Sequence, residues 1–162
     1  MYPEKDIAAI KDHMIQHRQT LAFAESVTSG HLQAAMSLAV GATDFFQGGI
    51  TTYNISQKVK HLMIDPVHAL QTNCVSQKVS EEMALHAAKN FSSDWAIAIT
   101  GYAAPIPQLG LEDLFAFFAI AFQGEIVYAN KIPTAENDIL KVQLYYTQTV
   151  LAEFSRYLSS LK

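Results

Sequence analysis

Apolar positions recur along the chain in two rhythms, a helical one and a strand-like one, and their alternation predicts the elements. Pro3 to His17 has the helical rhythm: Ile7, Ile10 and Met14, with Ala8, share a face, while Lys5, Asp6, Lys11 and Asp12 face water. Thr20 to Ala24 reads as a strand and Ser29 to Ala39 as a helix, with Gly41 placed to end it. Ile50 to Tyr53 is a β-branched strand. A helix capped by Asn54 or Ser56 follows and turns Val59, Leu62 and Met63 inward before Asp65-Pro66 stops it. Val67 to Thr72 has no distinct pattern. Val75 to Glu81 is a capped helix start whose inward positions continue through Val79, Met83, His86 and Ala87.

Trp95 to Gly101 is again a strand. Tyr102 to Asp113 holds Pro105 and Pro107 and is read as irregular. Two further strands, Leu114 to Phe122 and Ile126 to Ile132, are joined as a hairpin by Gln123-Gly124-Glu125. The last helix opens near Thr134 or Asn137 and buries Leu140, Leu144, Leu151, Phe154 and Leu158. Strands interleaved with helices, plus one late hairpin, predict an α/β fold: a three-layer α/β/α sandwich on a mixed β-sheet. With no repeat or linker, the whole of 1–162 is expected to be a single domain.

Composition narrows the function classes. Half the residues are hydrophobic and 16% are charged, which suits a packed globular chain. Net charge is −4, the only arginines are Arg18 and Arg156, and no Lys/Arg cluster occurs, which argues against nucleic acid as a partner. Met1 to Gln19 carries charges throughout, unlike a signal peptide, and the longest apolar run, Leu114 to Phe122, is too short to span a membrane. Cys74 is the sole cysteine, so a reducing, cytoplasmic setting is expected. The apolar content is compatible with a homo-oligomer without establishing one. His13 and His17 have the spacing of a metal pair but lack a third ligand in a recognised pattern, so no metal is expected.

The chemistry concentrates where Leu21-Ala22-Phe23-Ala24 runs into Glu25-Ser26-Val27-Thr28-Ser29-Gly30. A strand stopping where a helix starts leaves amide groups suited to an anion or an oxyanion. The plain alternative is that Thr28 or Ser29 only caps the helix. Three strand ends finish in polar groups, at Glu25-Ser26, Tyr53-Asn54 and Thr100-Gly101. Ligands in α/β sheets gather beyond such ends, so neighbouring strands would bring Ser26, Tyr53 and Thr100 to one rim. Lys58, about one turn into the next helix, is placed to reach that rim. A desolvated lysine serves as general base to a serine. Against this, Lys58 and Lys60 fit a solvated helix face, and Tyr53 fits a strand aromatic whose hydroxyl meets water.

The order of these motifs resembles the C-terminal domain of the CinA (competence/damage-inducible) family. Glu25-Ser26-Val27-Thr28-Ser29-Gly30 stands for the family's Glu-Ser-Cys-Thr-Gly-Gly, and Tyr53-Asn54-Ile55-Ser56-Gln57-Lys58 approximates Tyr-x-Asn-x-x-Lys. Cys74-Val75-Ser76-Gln77 matches Ala-Val-Ser-Glu, and Thr100-Gly101-Tyr102-Ala103-Ala104-Pro105 matches Thr-Gly-Ile-Ala-Gly-Pro. The resemblance implies deamidation of nicotinamide mononucleotide with no metal or cofactor. In it Ser26 is the nucleophile, Lys58 its base and Tyr53 their support. Glu25 and the amides near Thr28, Ser29 and Gly30 would serve the substrate and oxyanion, and Thr100 and Gly101 would line the nucleotide pocket.

Departures cluster where that family binds phosphate. Its glycine-rich loop and Lys-Pro-Val-Gly-Thr-Val are replaced by Ile106-Pro107-Gln108-Leu109-Gly110-Leu111-Glu112-Asp113-Leu114-Phe115. Its Gly-Asp-Arg becomes Ala135-Glu136-Asn137, and a following arginine becomes Lys141, which offers only a point charge. Two readings follow. One is an amidohydrolase acting on nicotinamide mononucleotide or a related amide, a small-molecule substrate. The other is a non-catalytic ligand-binding or assembly module on the same fold.

Overall fold

The computed structural model describes residues 1–161. Among them, six helices and five strands follow one another as α1 (Glu4–His17), β1 (Leu21–Glu25), α2 (His31–Ser37), β2 (Phe46–Thr51), α3 (Ile55–Leu62), α4 (Pro66–Gln71), α5 (Gln77–Asn90), β3 (Trp95–Gly101), β4 (Leu114–Phe122), β5 (Glu125–Thr134) and α6 (Ile139–Ser160). The strands form one mixed sheet in the order β2-β1-β3-β4-β5. β1 runs parallel to both β2 and β3, and β4 and β5 are antiparallel additions. The connection out of β1 goes to one side and the connection out of β2 returns on the other. The carboxyl ends of β1, β2 and β3 therefore share one edge, with β1 at the point where the strand order reverses.

The sheet separates two cores of different grain. Leu21, Phe23, Trp95, Ile97, Ile99, Phe118 and Ile120 face α1, α2 and α6, where Ile10, Met14, Met36, Val150 and Phe154 meet them. The alternate positions, Ala24, Ala96, Ala98, Ala119 and Ala121, face α5, itself small at Ala84, Ala87 and Ala88. Side chains on a strand point to opposite faces in turn, so alanine at every second position lets a helix settle close to the sheet. The predicted three-layer sandwich is what forms.

Several predicted boundaries move, each for a local reason. Gly41 (φ 75°) does not end α2, whose C-cap is Leu38; it opens a 3-10 turn at Ala42–Asp44. Val67 to Thr72 lies largely within α4: Pro66 takes the first helical position and the Asp65 side chain accepts from the amides of Val67 and His68. Met63 is not inward; it is the left-handed C-cap of α3 (φ 49°) and is exposed. His86 is only half-buried. Helix α6 starts one residue past Asp138, its N-cap, which leaves Leu140 exposed and Leu144 half-buried and makes Val142, Tyr146, Val150, Leu151, Phe154 and Leu158 the buried stripe. The β4–β5 turn is the predicted hairpin, with Gln123 and Gly124 both at positive φ.

Gly101 closes β3 because nothing larger fits. A Cβ there would lie 2.5 Å from the Ala116 Cβ and 2.7 Å from the Phe115 carbonyl oxygen on β4. Gly101→Ala forces these strands apart at the site's edge and should cost about 1–3 kcal/mol, the usual range for overpacking. Denaturant unfolding checks this; an unchanged midpoint would contradict it.

Candidate active site

Ser26 is the first residue beyond β1, and the ends of both neighbouring strands fix it. Its amide donates to the Ile99 carbonyl of β3 at 3.1 Å, and one residue earlier the Glu25 carbonyl accepts from the Thr52 amide at 2.9 Å. Lys58 comes from the second turn of α3, which Asn54 caps by accepting from the Gln57 amide. Long helical side chains lean toward the helix N-terminus, and Lys58 does so, back toward the end of β2. Its Nζ lies 2.8 Å from Ser26 Oγ and 3.1 Å from the Thr52 carbonyl oxygen. Lys58 is 2% exposed and Ser26 7%. Burial pulls the Lys58 amine below its ordinary value of 10.5, an effect larger than the opposing pull of charge on Cys74. Burial likewise pushes the Cys74 thiol up, against the opposing charge of Lys58.

These groups sit in a cleft of about 520 Å³ at the shared strand edge. Thr100 and Gly101 line it as expected, although the Thr100 hydroxyl is spent on the Cys74 carbonyl at 2.7 Å. Tyr53 lines the mouth, 67% exposed, and among the described residues makes no hydrogen bond to Ser26 or Lys58. The rest of the lining includes Asn73, Cys74, Tyr102, Ile106 and Ile139, which sequence reasoning did not assign. Asn73 and Cys74 both take left-handed conformations (φ 51° and 61°), a strained pair of the kind that gathers at functional sites. Helix α6 braces the walls: the Tyr146 hydroxyl donates to the Tyr102 carbonyl at 2.9 Å and Gln143 Nε2 to the Val27 carbonyl at 3.0 Å.

Glu25, Thr28, Ser29, Gly30 and Lys141 do not line the cleft. The reason is Glu25. Its wholly buried carboxylate accepts from the amides of Leu32 (2.8 Å) and Gln33 (2.9 Å), from Gln33 Nε2 (2.9 Å) and from the Thr28 hydroxyl (2.6 Å). The first turn of α2 is thus already filled by an anion from β1, and neither Thr28 nor Ser29 caps it. Gly30 occupies the N-cap position (φ 100°) and Ser29 is an exposed turn residue (φ 49°). Lys141 is exposed on α6, two residues beyond Ile139 and so on a different face from that cleft residue. Val27, next after the serine, lines the cleft, and its amide makes no hydrogen bond among the described residues.

The family model described as CinA C-terminal domain matches residues 4–158. The chain belongs to the CinA C-terminal domain family. A CinA-like protein from Picosynechococcus sp. is 40% identical over 96 residues, covering 59% of this chain and 23% of that protein. One from Prochlorococcus marinus strain SARG is 44% identical over 88 residues, covering 54% and 21%. The matched stretch is about a quarter of such relatives' length. Among solved structures, a competence damage-inducible protein A from Klebsiella pneumoniae superposes with a TM-score of 0.92 at 24% identity over 100% of both chains. A CinA superfamily protein from Escherichia coli gives 0.84 at 27% identity over 95% of this chain and 92% of that one. These likenesses extend the sandwich across the CinA fold. No helix among the described residues is long and apolar enough to cross a membrane.

Two outcomes test the arrangement. Glu25→Gln presents an amide N–H₂ to donors that need acceptors, and should destabilise the protein by about 1–3 kcal/mol, the cost of an unsatisfied buried group. A variant as stable as the parent would contradict the capping role. For Lys58, the unfolded chain keeps its proton up to about 10.5 while the folded chain releases it at lower pH. Between those values the unfolded state binds more protons, so stability rises with pH. Measured as the difference between parent and Lys58→Met, stability should climb toward pH 10.5; a flat difference would place the amine in water.

Proposed function

We propose that this CinA-type domain hydrolyses a carboxamide, with Ser26 as nucleophile and Lys58 as its base, on nicotinamide mononucleotide or a related amide. The observation that carries the reading is the 2.8 Å contact between a nearly water-free amine and a serine oxygen on a cleft wall. An amine in water is charged at neutral pH and has no lone pair to offer; a desolvated one is neutral more often. The Thr52 carbonyl takes one N–H of Lys58, which leaves the lone pair for the Ser26 hydroxyl.

The Ser26 oxygen attacks the carboxamide carbon as its proton passes to Lys58. The ammonium then gives that proton to the departing nitrogen, so ammonia leaves and an ester on Ser26 remains. Water, deprotonated by the same amine, cleaves the ester, and the proton returns to Ser26 as the acid departs. The unclaimed Val27 amide is the donor we assign to the developing oxyanion. No metal or cofactor enters this scheme, and the single unpaired cysteine suits a cytoplasmic protein.

A second reading, a ligand-binding or assembly module without turnover, is favoured by one observation. Tyr53, which the family resemblance puts behind the pair, stands at the mouth and does not touch it.

Ammonia release from nicotinamide mononucleotide and from nicotinamide riboside decides between the two. Turnover of either should fall by at least about a hundredfold in Lys58→Ala, the lower end for a lost general base, and vanish in Ser26→Ala. In the parent, kcat/KM should rise with pH to a plateau reached below pH 10.5, as the lowered lysine loses its proton. No ammonia from either compound would leave the binding module as the standing reading.

A further inference from the structure

The cleft is poorly furnished for an anion. Among the residues that line it, Lys58 is the only charged side chain, and its amine is held by Ser26 and Thr52. The rim is apolar: Tyr53, Leu70 and Ile139 stand more than half exposed around the opening. One wall passes through Pro105, which has no N–H to give. Several of the polar side-chain atoms that remain on the walls are committed elsewhere. Thr100 donates to the Cys74 carbonyl, Asn54 caps α3, and the Asn73 amide points to the Tyr102 hydroxyl at 3.4 Å.

Both arginines lie away from this opening. Arg18 is the C-cap of α1, ahead of β1 and so at the other end of that strand. Arg156 is seventeen residues along α6 from Ile139, about 25 Å at the rise of an α-helix. Lys131 rests over the Phe115 ring at 4.2 Å on the β4–β5 hairpin. Just ahead of Ile139 in the chain stand two carboxylates. Glu136 accepts from the amides of Asn137 and Asp138, bonds that hold its carboxyl below the usual range, and Asp138 caps α6. Lys141 faces Glu136 from α6 but does not line the cleft. A phosphate brought to this rim would leave water for apolar side chains, with no cation among the exposed residues that line it.

We infer that the cleft selects carboxamides that carry no phosphate, taking an unphosphorylated nucleoside-type or aromatic amide in preference to its 5′-phosphate. The inference rests on the Ser26–Lys58 reading for what happens to the amide, but selection is a property of the cleft walls and is measured separately. The apolar rim holds the flat body of such an amide. The depth of the cleft leaves its carboxamide at Ser26.

Binding of nicotinamide riboside and of nicotinamide mononucleotide to Ser26→Ala protein, followed by calorimetry, reads selection without turnover. The riboside should bind more tightly than the mononucleotide, and raising the salt should leave its affinity unchanged. Mononucleotide binding as tightly as the riboside or more tightly would overturn the inference, as would no binding of either. Ile139→Arg puts a guanidinium on the rim at a position exposed enough to accept it. It should shift the ratio about tenfold toward the mononucleotide; an unmoved ratio would show that the missing rim cation is not what sets the preference. Riboside binding with no ammonia from the unmutated protein would keep the selectivity and remove the hydrolysis. Ammonia released faster from the mononucleotide would do the reverse.

Discussion

A primary amine taken out of water loses the solvation of its charged form, and a fold that does this must give the amine something else. Here the fold gives two oxygens. Thr52 supplies a carbonyl from the end of β2, and Ser26 supplies a hydroxyl from the end of β1. Both oxygens are where they are because β1 and β2 are parallel neighbours, so their carboxyl ends coincide. The amine arrives because α3 is capped by Asn54 only four residues before Lys58. Shift the register of either strand by one residue and every side chain on it changes face, so the pair exists only in this one alignment. The same desolvation that makes Lys58 costly to bury makes it available as a base.

Glu25 resolves a second electrostatic matter at the same junction. The start of a helix attracts anions, and an open one beside a nucleophile invites assignment as an oxyanion hole. In this chain the last residue of β1 turns its carboxylate back into the first turn of α2 and binds the amides of Leu32 and Gln33. The positive end of α2 is neutralised from inside. That fixes the angle at which the chain leaves the strand and turns Ser26 toward α3. It also leaves the Val27 amide, and not those of Thr28–Gly30, on the cleft wall beside Ser26. A carboxylate on β1 and an amine on α3 thus take different places: one holds the turn, the other meets the serine.

How far the sequence foretold this depended on whether a signal was local. Ser26 and Lys58 were legible because a strand end and an offset of five residues from Tyr53 are local facts, and so was the order of layers. Glu25 was misread because capping from seven and eight positions upstream follows no cap spacing. Cys74, Tyr102 and Ile139 reach the cleft from three separate segments, and only the tertiary fold brings them together. The misplaced start of α6 had a different cause. Ile139 and Leu140 fit a helical stripe by hydrophobicity, yet Asp138 sets the first turn, and that turn projects past the end of the sheet. The unused signal was the alternation of alanine with large residues in Ala96-Ile97-Ala98-Ile99, which distinguishes the α5 face from the α6 face.

Those apolar residues past the end of the sheet are where fold and chemistry meet again. A side chain at the open end of α6 is not needed for the core, so it is free to vary without cost to stability, and the same is true of Leu70 and Tyr53 on the opposite lip. The floor of the cleft has no such freedom: Gly101 is pressed against Ala116, Thr100 holds the Cys74 carbonyl, and Lys58 is locked between two oxygens. A site made this way keeps its reacting groups while its rim changes. The Ser26–Lys58 contact is set by strand register, whereas the rim of the cleft is made by three exposed side chains. That separation lets a chain keep the serine and the lysine in contact while the residues around the opening change.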